Sequence, residues 1–270
     1  MNTLSSSVLA AQAQTLQCWA DQLDGLLCRV SKRFARPDAR RHARSYVVGL
    51  LSPVERKNGW QLAEQAGYST PYALQHLLDR ARWDAELVRD DVRDYVVEHL
   101  GSEDAVLVLD ETGFVKKGVK SCGVSRQYSG TAGRIENCQI GVFVGYASAK
   151  GHAFLDRALY LPDAWTEDLA RCKAAEVPKD TAFATKPKLA KAMLERALSA
   201  KVPCRWVTGD SVYGKDSSLR LWLEEQGKAY VLAVTGHECA CIGLERHPIK
   251  HLLPSVPDDG WHRLSAGAGS

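Results

Sequence analysis

The hydrophobic periodicity of this chain changes once, near residue 100, and that change constrains the fold more than any other feature. Up to about Leu100, long polar and apolar residues alternate with a 3.6-residue period and β-branched clusters are few, which is a helical pattern. From Ala105 onward the chain breaks into short β-type runs: "AVLVLD", "NCQIGVFVGYAS", "HAFLDRALYLP", "CRWVTGD" and "AYVLAVTG". Glycine turns separate the early runs. Helical patterns, Lys186 to Ala200 and Lys215 to Gly227, separate the later ones. Three strands in succession, then helix, strand, helix, strand, predict an antiparallel meander extended by two strands that enter through helical crossovers.

That order is RNase H-like, and in such a layout the first and fourth strands are neighbours. Their ends carry Asp110, in "AVLVLDETGFVKKG", and Asp210, in "CRWVTGDSVYGKD". Two carboxylates held close repel each other, so the arrangement calls for protons or a divalent cation as compensation. Magnesium, with manganese as a substitute, takes one or two protein carboxylates and fills its remaining positions with water and phosphate oxygens. Two such ions suit phosphodiester chemistry. The neighbouring Lys116, Lys117, Lys120, Arg126 and Arg134 then read as contacts to a nucleic-acid backbone. The simpler reading is that each Asp caps a turn, Asp110 through the amide of Thr112 or Gly113. Glu111 reads as a bystander, because it points to the opposite face of the strand. Other acid-dependent chemistries fit poorly. Thr112 stands where a haloacid-dehalogenase-type phosphatase needs a second Asp, and there is no Walker A loop, G-x-S-x-G elbow or H-E-x-x-H pair.

The formal net charge of +3 over 270 residues is modest, so attraction to a polyanion must come from clustering. The segment "KRFARPDARRHAR", with Arg40, Arg41 and Arg44, is such a cluster; it is either a phosphate-contacting surface or a solvated helix face. The 8 cysteines show no repeated pairing interval, and no signal peptide or membrane-length apolar run is present, which points to a reducing cytoplasm. His237, Cys239 and Cys241 do not have a standard structural zinc spacing. In "NGWQLAEQAGYSTPYALQHLLDRARWD" a helix ending near Gly67 and a second from about Pro71 to Trp83 outline a helix-turn-helix, which would present Tyr72, Gln75, His76 and Arg80 to DNA. The same pattern also fits an ordinary helical hairpin with Leu74, Leu77 and Leu78 as core.

The blocks "LLSPVERKNGWQLAEQAGYSTPYALQHLLDRARWD", "VLDETGFVKKG", "SRQYSGTAGRIENCQIGVFVGYAS", "LYLPDAW", "FATKPKLA" and "WVTGDSVYG", in order from about Arg40 to about Thr235, resemble the IS701 family of insertion-sequence transposases, DDE enzymes related to the IS4 group. The resemblance implies a helical DNA-binding domain over 1–100, an RNase H-like catalytic core over 101–236, and the beginning of an insertion over 237–270. It implies divalent metal, cleavage at transposon ends in double-stranded DNA, strand transfer to a target, and a homo-oligomeric active form. Asp110 resembles the first acid of the triad and Asp210 the second. For the third, Glu238, Glu245, Asp258 and Asp259 lie in a Gly- and Pro-rich stretch with no helical face to fix a ligand. The chain therefore reads as a truncated transposase, or as a non-catalytic DNA-binding remnant that competes with an intact enzyme. Ser211 departs from the acid expected after the second Asp in many relatives.

Overall fold

The computed structural model of the chain describes residues 6–243 and 245–261. They form two compact units, residues 1–99 and 100–270. No helix among the described residues is long and apolar enough to cross a membrane.

The first unit is helical: α1 (Ser6–Ser31), α2 (Pro37–Leu51), α3 (Gly59–Gln65), α4 (Tyr72–Asp79) and α5 (Ala85–Leu100). Pro37 opens α2, where its missing N–H costs nothing, and Asn58 caps α3 by accepting the amides of Trp60 and Gln61. Gly67, at φ +75, turns the chain out of α3. The predicted second helix is shorter than expected, because α4 stops at Asp79. Trp83 instead pairs its backbone with Phe34 and stacks on that ring at 5.3 Å, closing a core of Phe34, Ala39 and Leu77. Leu74 is buried with Leu62 and Ala63, whereas Leu78, which the hairpin reading put in the core, is exposed. Arg33 grips the buried Asp91 of α5 with two hydrogen bonds of 2.7 Å.

The second unit is a mixed sheet. Its elements are β1 (Val106–Val115), β2 (Ser125–Ser129), β3 (Arg134–Ser148), β4 (Gly151–Tyr160), α6 (Asp163–Thr166), α7 (Leu169–Ala174), α8 (Lys186–Ser199), β5 (Trp206–Gly209), α9 (Ser211–Gly214), α10 (Ser217–Glu225) and β6 (Ala229–Leu232). β3 lies antiparallel to β1 on one side; β4 and the short β2, which the sequence reading did not anticipate, follow one another along its other side. Beyond β1 come β5 and then β6, both parallel to it. The buried side chains of β3, Cys138, Ile140, Val142, Val144 and Tyr146, alternate along the strand and face α8. That helix offers Ala190, Met193, Leu194 and Ala197, a 3.6-period stripe. Residues of the opposite parity form the other face. There the Phe143 ring lies 6.5 Å from Phe114 and 5.0 Å from Phe154, and both Phe114 and Phe154 are exposed. Past β6, the segment read as an insertion forms a small hairpin, β7 (Cys239–Ile242) with β8 (Glu245–Pro248), followed by the single turn α11 (Ile249–Leu252).

The Arg33 guanidinium holds the Asp91 carboxyl below its ordinary value. A carboxylate depressed on folding contributes stability that is full above its unfolded pKa, about 4, and is lost as pH falls through the lower folded value. Asp91→Asn should therefore cost about 2 kcal/mol near neutral pH and progressively less below about pH 4, measured by denaturant unfolding across pH.

Candidate active site

The last rung of the β1–β5 ladder pairs Leu109 with Gly209. The next residue on each strand is Asp110 and Asp210, so the two acids follow neighbouring positions at the same end of the sheet, on strands spaced about 4.8 Å apart. Each acid is anchored through one oxygen. Asp110 Oδ1 accepts the Glu111 N–H at 2.7 Å, rather than the Thr112 or Gly113 amide, and Asp210 Oδ1 accepts the Val212 N–H at 2.8 Å as the cap of α9. Neither Oδ2 accepts a hydrogen bond from a described residue. The turn that presents Asp210 is tight. A Cβ on Gly214 would come 1.8 Å from the Ala233 carbonyl oxygen, and one on Gly209 would press at 3.2 Å on both Leu109 and the Tyr213 ring.

This arrangement is electrostatically unfavourable. Asp110 reaches solvent, yet its carboxyl is pushed above its ordinary value, first by desolvation and then by the carboxylates of Glu111 and Asp210; the Glu111 amide and Lys186 act the other way. A hard divalent cation fits such a donor set, since it takes carboxylate oxygens and relieves their repulsion. Asp110 and Asp210 would hold it. Among the described residues no three His, Cys, Asp or Glu side chains converge as a closed cage would require, so these acids form an open pair. The Cys241 side chain, part of the zinc spacing weighed from sequence, lies outside the described residues.

Glu111 does point away from Asp110, but it is no bystander. Its Oε1 accepts from Lys186 Nζ at 2.6 Å and its Oε2 from the Tyr213 hydroxyl at 2.8 Å. Tyr213 is fully buried, and burial, followed by the Glu111 carboxylate, drives its hydroxyl far above its ordinary pKa, so it remains a donor. Both partners were missed from sequence. The one available signal was the placement of a tyrosine three residues after Asp210 and of Lys186 at the start of a helix.

The basic residues predicted beside the acids are spread out. Lys116 and Lys117 follow β1 six and seven residues after Asp110, and six strand residues span about 20 Å. They lie too far away to share a phosphate with Asp110, but about six base pairs along a duplex axis. Arg126 shares a sheet face with Asp110 through the register Asp110↔Phe143 and Arg126↔Asn137, while Arg134 pairs with Glu136 at 2.7 Å. In the helical unit, all three predicted arginines are exposed; Arg40 donates to the Phe34 carbonyl at 2.8 Å and Arg44 pairs with Asp24 at 2.6 Å, while Arg41 has neither kind of partner among the described residues. A cleft of about 580 Å³ opens between α2 and α4; its floor is largely apolar and its charged lining comprises Arg36, Arg80 and Arg82 together with the acid Asp38. Beside it, Tyr72, Gln75, His76 and Arg80 lie exposed along α4.

The two acids belong to neighbouring parallel strands of the mixed sheet, Asp110 midway along β1 rather than at the strand end read from the sequence, and Asp210 just past the end of β5. Residues 29–247 match the family described as DDE superfamily endonuclease, and the chain belongs to that family. It is also 30% identical over 207 residues to a protein of Microchaete diplosiphon named as a probable transposase for insertion sequence element IS701. That match covers 76% of this chain and 51% of the relative, so the chain spans about half the length of the curated relative it matches. The likeness read from the sequence blocks holds at the level of the family.

Removing one of two mutually repelling acids should stabilise the fold. Asp110→Asn is expected to raise the melting temperature slightly at neutral pH, when followed by thermal unfolding in chelator. Gly214→Ala should do the opposite and unfold the turn, because its Cβ has no space against Ala233.

Proposed function

We propose that this chain is the DNA-binding and catalytic-core portion of an IS701-type transposase, in which Asp110 and Asp210 hold divalent metal, magnesium or manganese, for phosphodiester cleavage at transposon ends and strand transfer. The observation that carries this reading is the register Leu109↔Gly209, which brings the two acids together from residues one hundred positions apart. The strand order β4-β3-β1-β5-β6, with three antiparallel strands followed by two parallel ones, supports an RNase H-like arrangement. The ion, when bound, supplies charge stabilisation at the scissile phosphate. Asp110 and Asp210 would hold that ion with their carboxylates. Lys116, Lys117 and Arg126 attract the duplex backbone, and the outward face of α4 enters a groove while Arg36 and Arg82 take phosphates on either side. The partners on this reading are double-stranded DNA and further copies of the chain.

The open carboxylate pair favours a second reading, in which the chain binds ends without cutting them and a third carboxylate is needed for cleavage. One titration separates the two. Duplex DNA carrying the ends of the encoding element is mixed with the 270-residue chain in magnesium or manganese, and binding and nicking are read in the same samples. Nicking that Asp110→Asn and Asp210→Asn abolish establishes the enzyme. Binding without nicking establishes the second reading, and nicking that survives either substitution sinks the assignment of the acids. Arg36→Ala and Arg82→Ala should each reduce the slope of log affinity against log salt by about 1.

A further inference from the structure

Resting on the reading of Asp110 and Asp210 as metal-holding acids, we propose that the Lys186–Glu111–Tyr213 bridge is a positioning device that fixes the separation of those two carboxylates. Backbone pairing between β1 and β5 ends at Leu109↔Gly209, one residue short of both acids. Beyond that rung the Gly209 carbonyl accepts the Ala233 N–H, and the chain bends into α9. The acids therefore lie where the ladder no longer sets their spacing.

A side-chain link spans that gap. Glu111 is the immediate neighbour of Asp110 and belongs to the same strand; Tyr213 lies in the single helical turn that Asp210 caps. The 2.8 Å bond between their side chains therefore ties the Asp110 segment to the Asp210 turn. Each end is held rigidly. The Tyr213 ring is fully buried and packs against Gly209, and Glu111 is held from a third direction by Lys186 at the first turn of α8. Lys186 itself follows Thr185, whose hydroxyl accepts the Lys188 N–H and fixes the helix start.

A purely structural role explains the network poorly. The Glu111 and Lys186 side chains are only 16% and 20% exposed, and a desolvated ion pair recovers little net stability compared with an apolar pair of the same size. What it does provide is geometry, because bonds to charged groups are short and directional. Partners hydrogen-bonded to metal ligands commonly control metal affinity by about 10- to 100-fold, and this bridge acts one step further out, through the backbone segments that carry Asp110 and Asp210.

The test is Mn2+ binding to the 270-residue chain, followed by the electron paramagnetic resonance signal of the free ion. Asp110→Asn should abolish specific binding. Tyr213→Phe, which removes one oxygen and leaves the ring, should weaken Mn2+ binding by about 10-fold and broaden the bound-ion spectrum. Leu223→Ala, a core truncation in α10, should lower the melting temperature and leave Mn2+ affinity unchanged, which separates positioning from general loss of stability. If Asp110→Asn removes binding but Tyr213→Phe binds Mn2+ as the unaltered chain does, the positioning proposal is overturned and the metal reading stands. If Asp110→Asn changes nothing, or the unaltered chain binds no Mn2+, the metal reading falls and takes the proposal with it. Should Tyr213→Phe fail to fold, Lys186→Met decides, since it frees Glu111 while removing a positive charge: weaker Mn2+ binding supports the device, and unchanged or tighter binding overturns it.

Discussion

The parallel pairing of β1 with β5 is the constraint on which the rest of this site depends. β1 is paired with β3 along its whole length, from Val106↔Ala147 to Val115↔Cys138, but with β5 only as far as Leu109. Asp110 therefore stands at a fork, where one neighbouring strand continues and the other turns away. Open α/β sheets place ligands in crevices of this kind, outside the carboxyl ends of strands, because the diverging backbones leave room and unpaired polar groups. The turn away from the fork is possible only because Gly214 can lie against the Ala233 carbonyl.

Charge is distributed unevenly around that fork. The inward acid, Glu111, is given both a cation and a hydroxyl, whereas the outward acids keep an oxygen each without a hydrogen bond from a described residue. A chain selected only for stability has no reason to leave two adjacent carboxylates in mutual repulsion while satisfying the third so fully. Local conflict of this sort marks places where function overrides folding. The helical unit shows a milder form. Arg40 and Arg44 are engaged within the fold, while Arg36 and Arg82 line a cleft between α2 and α4.

Much of the architecture was legible because it is periodic. The stripe Ala190, Met193, Leu194 and Ala197 and the alternation from Cys138 to Tyr146 are one-dimensional patterns that survive in the sequence. Glycines and caps mark the helix pair α3 and α4 in the same way, although its core membership was right at two of three positions, since Leu74 and Leu77 are buried and Leu78 is not. The strand β2 was missed because "SRQYS" is polar and short, and its pairing with β3 is a long-range backbone matter. Glu111 was misjudged because strand alternation gives the direction of a side chain but not what awaits it there. Lys186 and Tyr213 lie 75 and 102 residues away along the chain.

The sequence by itself determined the switch from helical to strand periodicity, the placing of the two Asp residues on or just after β-type runs, and the resemblance to the DDE family, because each is written in local order; that β1 runs on past Asp110 to Val115 was not legible there. Tertiary structure alone decided that Leu109 faces Gly209, that Glu111 is bound by Lys186 and Tyr213, and that Arg36 and Arg82 rather than Arg40 and Arg44 line the cleft between α2 and α4. These are contacts between residues distant in the chain. Their energies depend on distance, burial and orientation, none of which is a property of a residue or its neighbours until the sheet and the helices have closed around it.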